Sequence, residues 1–141
     1  MIKRITDIQE LSEYFPFITK LFEDKPEIFD ADNVEECLAD LISRFSNPRN
    51  FFFGQITNGT VDFFLSAIET KRGSFELLID LCYSNPHQYK HTLDWIEICK
   101  SYASLRGFKK YYWQTGRLTR AYRRFMSKLK AKPIKIIYEL N

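Results

Sequence analysis

The chain has 141 residues, 45% of them hydrophobic and 28% charged, which fits one domain around one core. No run of about 18 apolar residues occurs, which excludes a membrane-spanning helix, and the basic start Met1 to Asp7 lacks the apolar stretch of a secretory signal. The net charge of +3 hides an asymmetry: residues 1–99 hold 9 Lys and Arg against 17 Asp and Glu, whereas residues 100–141 hold 12 against one, Glu139.

That asymmetry implies an acidic and a basic face, and a polyanion or an acidic protein surface as partner for the latter. Thirteen Phe and eight Tyr supply large buried areas, so a modest core suffices. Cys37, Cys82 and Cys99 lie in apolar patterns without CxxC or Cys/His spacing, so they read as buried thiols in a reducing compartment.

In chain order, Ile2 to Ile5 reads as a short strand. Thr6 or Asp7 with Gln9 or Glu10 forms a capping box, opening a helix whose apolar positions are Ile8, Leu11, Phe15, Ile18 and Phe22. Pro16 interrupts that pattern, which predicts a break with the helix restarting at the proline. A second helix starts at Asp32 or Asn33, carries Glu35 and Glu36 in its first turn, and buries Val34, Leu38, Leu41, Ile42 and Phe45.

Three strands follow: Asn50 to Thr57, Thr60 to Thr70 and Ser74 to Tyr83. Asn58-Gly59 suits a type I′ turn and Lys71-Arg72-Gly73 a second tight turn, so these strands form an antiparallel meander. A helix from Thr92 to Arg106 shows Trp95, Ile98, Cys99, Tyr102 and Leu105 on one face, with Gly107 as a left-handed cap. Phe108 to Gln114 is an aromatic strand, parallel to the one before the helix through a right-handed crossover. A helix from Leu118 to Leu129 and a strand from Ile134 to Leu140 complete the chain.

This succession (strand, two helices, three strands, helix, strand, helix, strand) resembles the GCN5-related N-acetyltransferase (GNAT) family. The resemblance covers the whole chain. It rests on the element order, the Asn58-Gly59 hairpin, Leu81-Cys82-Tyr83-Ser84-Asn85-Pro86 closing a strand, and Leu105-Arg106-Gly107-Phe108 after the helix. It implies an α/β GNAT-like (acyl-CoA N-acyltransferase) fold with a mixed central sheet. Small GNAT-like proteins of bacteriophages, some carried in virions, have a similar Lys-, Phe- and Tyr-rich composition.

The family binds acetyl-CoA through an Arg/Gln-x-x-Gly-x-Gly/Ala turn whose backbone amides hold the pyrophosphate. Matched at Pro86, the motif positions are Tyr89, Thr92 and Asp94. Both glycines are replaced, and the Asp94 carboxylate stands where the pyrophosphate would bind, although it also complements the helix dipole. The resemblance therefore implies no cofactor, with acetyl-CoA in an atypical site as the alternative. The family's general-acid Tyr falls on Met126. Tyr122, one turn earlier, is a substitute acid or a core aromatic.

Glu76 and Asp80, on one strand face, are base candidates or solvent-facing residues. His87 and His91, four apart, lack a third ligand, so no metal site follows. No catalytic residue is assigned. The basic stripe Arg117, Arg120, Arg124 and Lys128, with Arg123 beside it, has no acid in its helix and is the expected partner-binding surface.

The expected function is a non-catalytic GNAT-fold protein acting through protein contacts, as a phage accessory or virion protein. The alternatives are an acetyl-CoA-dependent N-acetyltransferase and a nucleic-acid-binding module that stacks bases on Tyr111, Tyr112 and Trp113. The expected location is the cytoplasm of a cell or infected host, or a virus particle.

Overall fold

The computed structural model describes residues 1–113, apart from 27, 28 and 30, together with Lys128. The expected helix over 118–129 and strand over 134–140 lie outside the described residues. So do Arg117, Arg120, Tyr122, Arg123, Arg124 and Met126. Lys128 is helical and exposed.

The order is β1 (Lys3–Arg4), α1 (Ile8–Ser12), α2 (Phe15–Asp24), α3 (Val34–Phe45), β2 (Asn50–Thr57), β3 (Thr60–Glu69), β4 (Glu76–Ser84), a 3₁₀ helix (Pro86–His91), α4 (Thr92–Leu105) and β5 (Lys110–Trp113). Asp7 caps α1 by accepting from the Glu10 amide, and Asn33 caps α3 by accepting from the Glu36 amide. Pro16 sits in the first turn of α2, where its missing N–H costs nothing, so the expected break is there.

Among the described residues, five strands form one sheet in the order β1-β2-β3-β4-β5. Every pairing is antiparallel except β4 with β5, which runs parallel from Glu76–Lys110 to Ile79–Trp113. The hairpin between β2 and β3 turns at Asn58 and Gly59, with φ of 51° and 78°, the positive values a type I′ turn demands.

Both faces of the sheet are covered, which explains why Phe51, Phe52 and Phe53 are all buried. Alternation sends Phe51, Phe53, Phe63 and Leu65 toward α4, where Ile96, Cys99 and Ala103 pack. It sends Phe52 and Phe64 toward α1, α2 and α3, against Leu11, Tyr14, Ile18 and Leu41. Tyr14 stacks on Phe64 with ring centroids 5.2 Å apart. Burial pushes its hydroxyl pKa up to about 12. A Cβ at Gly54 would overlap the Tyr14 phenol, so glycine is required at that point of β2.

Two expectations about helix faces need correction. Ile42 on α3 is exposed, and Cys37 is buried in its place. On α4, Ile98 and Leu105 point outward, and the buried stripe is Thr92, Ile96, Cys99 and Ala103. No described helix is long and apolar enough to cross a membrane.

Candidate functional site at the carboxyl end of β4

β4 follows β3 in regular register until Asp80. Ser66 pairs with Leu81 and Ala67 with Ile79, so Asp80 is the extra residue of a β-bulge. The bulge carries a polar network. Asp80 accepts from Ser66 Oγ at 2.7 Å and meets Arg44 of α3 at 2.8 Å. On the parallel side, the described pairing with β5 reaches Ile79. The stretch from Asp80 to Ser84 therefore has β3 on one edge and, among the described residues, no strand on the other.

The chain then turns without glycine. The Asn85 amide donates to the Asp62 carbonyl at 2.8 Å, and the Asn85 side chain accepts from the His87 amide at 3.0 Å. The Asn85 carbonyl accepts from the Gln88 amide at 2.8 Å. Pro86 has no N–H to offer, which suits the first position of the 3₁₀ helix. That helix runs directly into α4, and the Thr92 amide bonds back to Tyr89. The backbone donors named here are thus spoken for, in contrast to an open helix start.

The side chains complete the closure. Thr92 Oγ1 donates to Ser84 Oγ at 2.8 Å, and both residues are buried. Tyr89 is 63% exposed. Asp94 lies exposed in the first turn of α4 and makes no capping hydrogen bond. The sequence placed Asp94 as the acid filling the helix end. The structure fills it with the 3₁₀ turn instead, and Asp94 acts only through its charge on the dipole.

The remaining sequence-selected residues separate. Glu76 pairs with Lys110 at 3.9 Å, far along β4 from the turn. Asp80 is already engaged by Ser66 and Arg44, which leaves it poorly placed as a free base. His87 is exposed, while His91 packs on Trp95 with ring centroids 5.6 Å apart, so the two do not converge. Tyr111 is no open stacking ring: its hydroxyl reaches Ser104 Oγ at 2.7 Å and the Lys100 carbonyl at 3.0 Å. Burial pushes the Cys82 thiol far up, with Cys99 adding to it, and burial raises Cys99 to about 12. These thiols between β4 and α4 are inert packing groups.

Sequence reasoning missed Arg44, Ser66 and Asp62. Asp62 is buried and accepts from Gln55 Nε2 at 2.9 Å and Thr57 Oγ1 at 2.6 Å. Nothing local in the sequence announces such pairs. Lys90, exposed beside His87 on the 3₁₀ helix, was legible as a charge but not as a neighbour of the site.

The layout has clear structural relatives. A probable acetyltransferase superposes with a TM-score of 0.76 at 11% identity, covering 100% of this chain and 97% of its own. Aminoglycoside acetyltransferase AAC(6')-Iy, bound to a CoA-derived bisubstrate analogue, gives 0.74 at 11% identity over 100% and 97%. The aminoglycoside 6'-N-acetyltransferase AAC(6')-IG of Acinetobacter haemolyticus gives 0.72 at 11% identity, with the same coverage. No family model matches the sequence, and no curated protein does. The chain has the GNAT fold, the acyl-CoA N-acyltransferase architecture expected from its element order.

The same relatives correct one expectation. Absence of a cofactor was inferred from the lost glycines. However, structures of this fold that match along their whole length hold CoA or a CoA-derived analogue. The lost glycines therefore argue about how phosphate is held, and they do not justify an expectation of no cofactor. The residues present do not fit the glycine-amide mode, since the turn's donors are used internally. They fit a side-chain mode, with Lys90 and His87 exposed at the turn and the strand edge from Asp80 to Ser84 beside them.

Proposed function

We propose that this protein is a GNAT-fold N-acyltransferase that takes acetyl-CoA at the carboxyl end of β4, in a site reshaped so that side chains replace glycine amides. The observation that carries this reading is the fold itself. β4 passes into a helical run beside a parallel β5, within a fold that superposes on an acetyltransferase holding a CoA-derived analogue. Lys90 and His87 would meet the phosphates. The backbone of Asp80 to Ser84 would align the extended arm as a strand edge aligns a peptide. Bound there, acetyl-CoA supplies an acetyl thioester. Arg44 and Ser66 hold Asp80, and with it the bulge, in one geometry.

Titration with acetyl-CoA by calorimetry tests the reading. Saturable binding is expected, weakened in Lys90→Ala and by added salt. Absence of saturation up to about 1 mM acetyl-CoA, the level of very weak binding, overturns it.

A second reading is favoured by the closed turn from Asn85 to Thr92. On it, the protein works through protein contacts rather than acetyl transfer, as an accessory or virion component of a phage. Its partner then carries an acidic surface that docks on Arg117, Arg120, Arg123, Arg124 and Lys128. Acetyl-CoA binding without turnover across a panel of amines, together with partner loss in an Arg117/Arg120/Arg124 triple alanine variant, supports this second reading over the first.

A further inference from the structure

The opposite end of β4 carries a different chemistry. Between β3 and β4 the chain turns through Lys71, Arg72, Gly73, Ser74 and Phe75. Phe75 takes φ of +56°, a left-handed value that a bulky L-residue adopts at a cost. A buried carboxylate holds it there. Glu69 accepts from the Gly73 amide at 2.9 Å and the Phe75 amide at 3.3 Å, and its side chain meets Arg49 Nε at 3.4 Å.

The strained residue is only half buried. The Phe75 ring is 47% exposed. It rests edge-on against Phe108, with centroids 6.0 Å apart, and above Gly107, where a Cβ would come within 3.3 Å of it. Gly107 itself has φ of +94°. The contact therefore uses a glycine on one side and a strained backbone on the other to present an aromatic ring to solvent.

The two segments that carry the ring are cationic. Lys71 and Arg72 are exposed on the turn, and Lys109 and Lys110 are exposed at the start of β5. The two segments are joined: the Lys109 amide donates to the Phe75 carbonyl at 3.0 Å, and Glu76 pairs in register with Lys110. The acids of segments 69–76 and 106–113 are Glu69 and Glu76. Glu69 is occupied by Arg49 and the turn amides, and Glu76 reaches Lys110 at a loose 3.9 Å. The surface retains a clear positive excess.

We propose that this end of the sheet binds single-stranded nucleic acid. Phe75 is the stacking platform for one base, and Lys71, Arg72, Lys109 and Lys110 take the flanking phosphates. A fixed, half-exposed ring on segments with an excess of cations is what a single strand requires, since bases offer π-faces and the backbone offers one charge per nucleotide. An acidic protein segment would use the cations but not the ring. The surface lies about 26 Å from the carboxyl end of β4, given roughly 3.3 Å per strand residue, so this inference stands apart from the acetyl-CoA reading.

The test is fluorescence anisotropy with a labelled oligothymidine at several salt concentrations, using the full chain. Phe75→Asn suits the left-handed backbone and keeps the fold while removing the ring. It is expected to weaken binding about tenfold and leave the salt slope unchanged, and Phe75→Tyr is expected to restore binding. A Lys71/Arg72/Lys109/Lys110 alanine variant is expected to lower the slope of log K against log salt by roughly 3. Three results overturn the proposal: no binding of the oligothymidine at low salt, binding that both variants leave intact, or polyglutamate binding as tightly as the oligothymidine with equal sensitivity to Phe75→Asn. Circular dichroism of each variant verifies that the fold is retained.

Discussion

The two ends of β4 solve the same problem in opposite ways. At the carboxyl end, the chain leaves Ser84 through Asn85 and Pro86, and polar groups turn inward: hydroxyl meets hydroxyl at Ser84 and Thr92. At the amino end, the chain enters through a left-handed Phe75. Charge is split there, with Glu69 buried to hold the turn and the lysines and arginine outside. Neutral closure gives a firm corner whose backbone amides have little to offer an anion, which leaves that part to the exposed Lys90 and His87. Ionic closure leaves a strained, cationic and aromatic surface. A strand–helix junction therefore does not make a phosphate site by its position alone. What matters is which donors remain after the corner has satisfied itself.

The largest effect is expected where a charge is removed from the ionic corner. Glu69→Ala deprives Arg49 of its carboxylate, leaving it the residue-69 carbonyl at 3.1 Å, and frees the amides of Gly73 and Phe75. Because Arg49 keeps a third of its side chain in water, the loss should sit at the lower end for a broken buried pair, about 3 kcal/mol in urea unfolding. Glu69→Gln, which retains an acceptor, should lose less. A loss below about 1 kcal/mol for Glu69→Ala would show that the turn does not depend on the carboxylate, and the contrast between the two corners would collapse.

The neutral corner should break more gently. Thr92→Val keeps the shape but leaves the Ser84 hydroxyl buried and unpaired, at about 1–2 kcal/mol. Adding Ser84→Ala should recover part of that loss, because both partners are then gone. Strict additivity of the two changes would mean that the hydroxyls do not depend on each other. Asn85→Ala removes the side-chain acceptor of the His87 amide and is expected to cost about 1 kcal/mol, a usual value for a lost cap. An unchanged thermal midpoint would show that water replaces the cap without penalty.

How far these corners could be read in the sequence depends on how local their physics is. Asn58-Gly59, Pro16 and Gly107 announce their turns because a residue's own dihedral limits decide them. The order of elements, and with it the GNAT architecture, follows from such signals. The face of α4 was read rightly at Cys99, Trp95 and Tyr102 and wrongly at Ile98 and Leu105, for a definite reason. Its apolar residues form two overlapping stripes, one through Trp95, Ile98, Tyr102 and Leu105 and one through Ile96, Cys99 and Ala103. Periodicity cannot choose between them. The choice is made by the sheet, where Phe63 packs on Trp95 at 5.4 Å and Phe53 on Tyr102 at 5.4 Å from the flanks.

The polar pairs were illegible for a different reason. Arg44 meets Asp80 and Arg49 meets Glu69 across long sequence separations. The left-handed Phe75 is invisible because its conformation is imposed by Glu69 and not chosen by phenylalanine. In the candidate cofactor site, the loss of glycine was plain in Thr92 and Asp94. Its consequence was over-read, because a missing amide cradle says nothing about the side chains beside it.

The smallest expected effect is also the one that bears most directly on the cofactor. Asp94 lies in the first turn of α4 and bonds to no backbone amide there. Its contribution to the fold is its charge on the helix dipole, so Asp94→Asn should cost about 0.3–1 kcal/mol of stability. The same charge opposes any phosphate held at the turn by Lys90 and His87. Removing it should therefore tighten acetyl-CoA binding about threefold, the equivalent of roughly 0.6 kcal/mol. Salt should shrink the difference, because an exposed carboxylate acts through screened solvent. Calorimetry of the two proteins at low and high salt reads this directly. Equal affinities at low salt would place the phosphates away from the first turn of α4, and the side-chain site would have to be sought further along the strand edge.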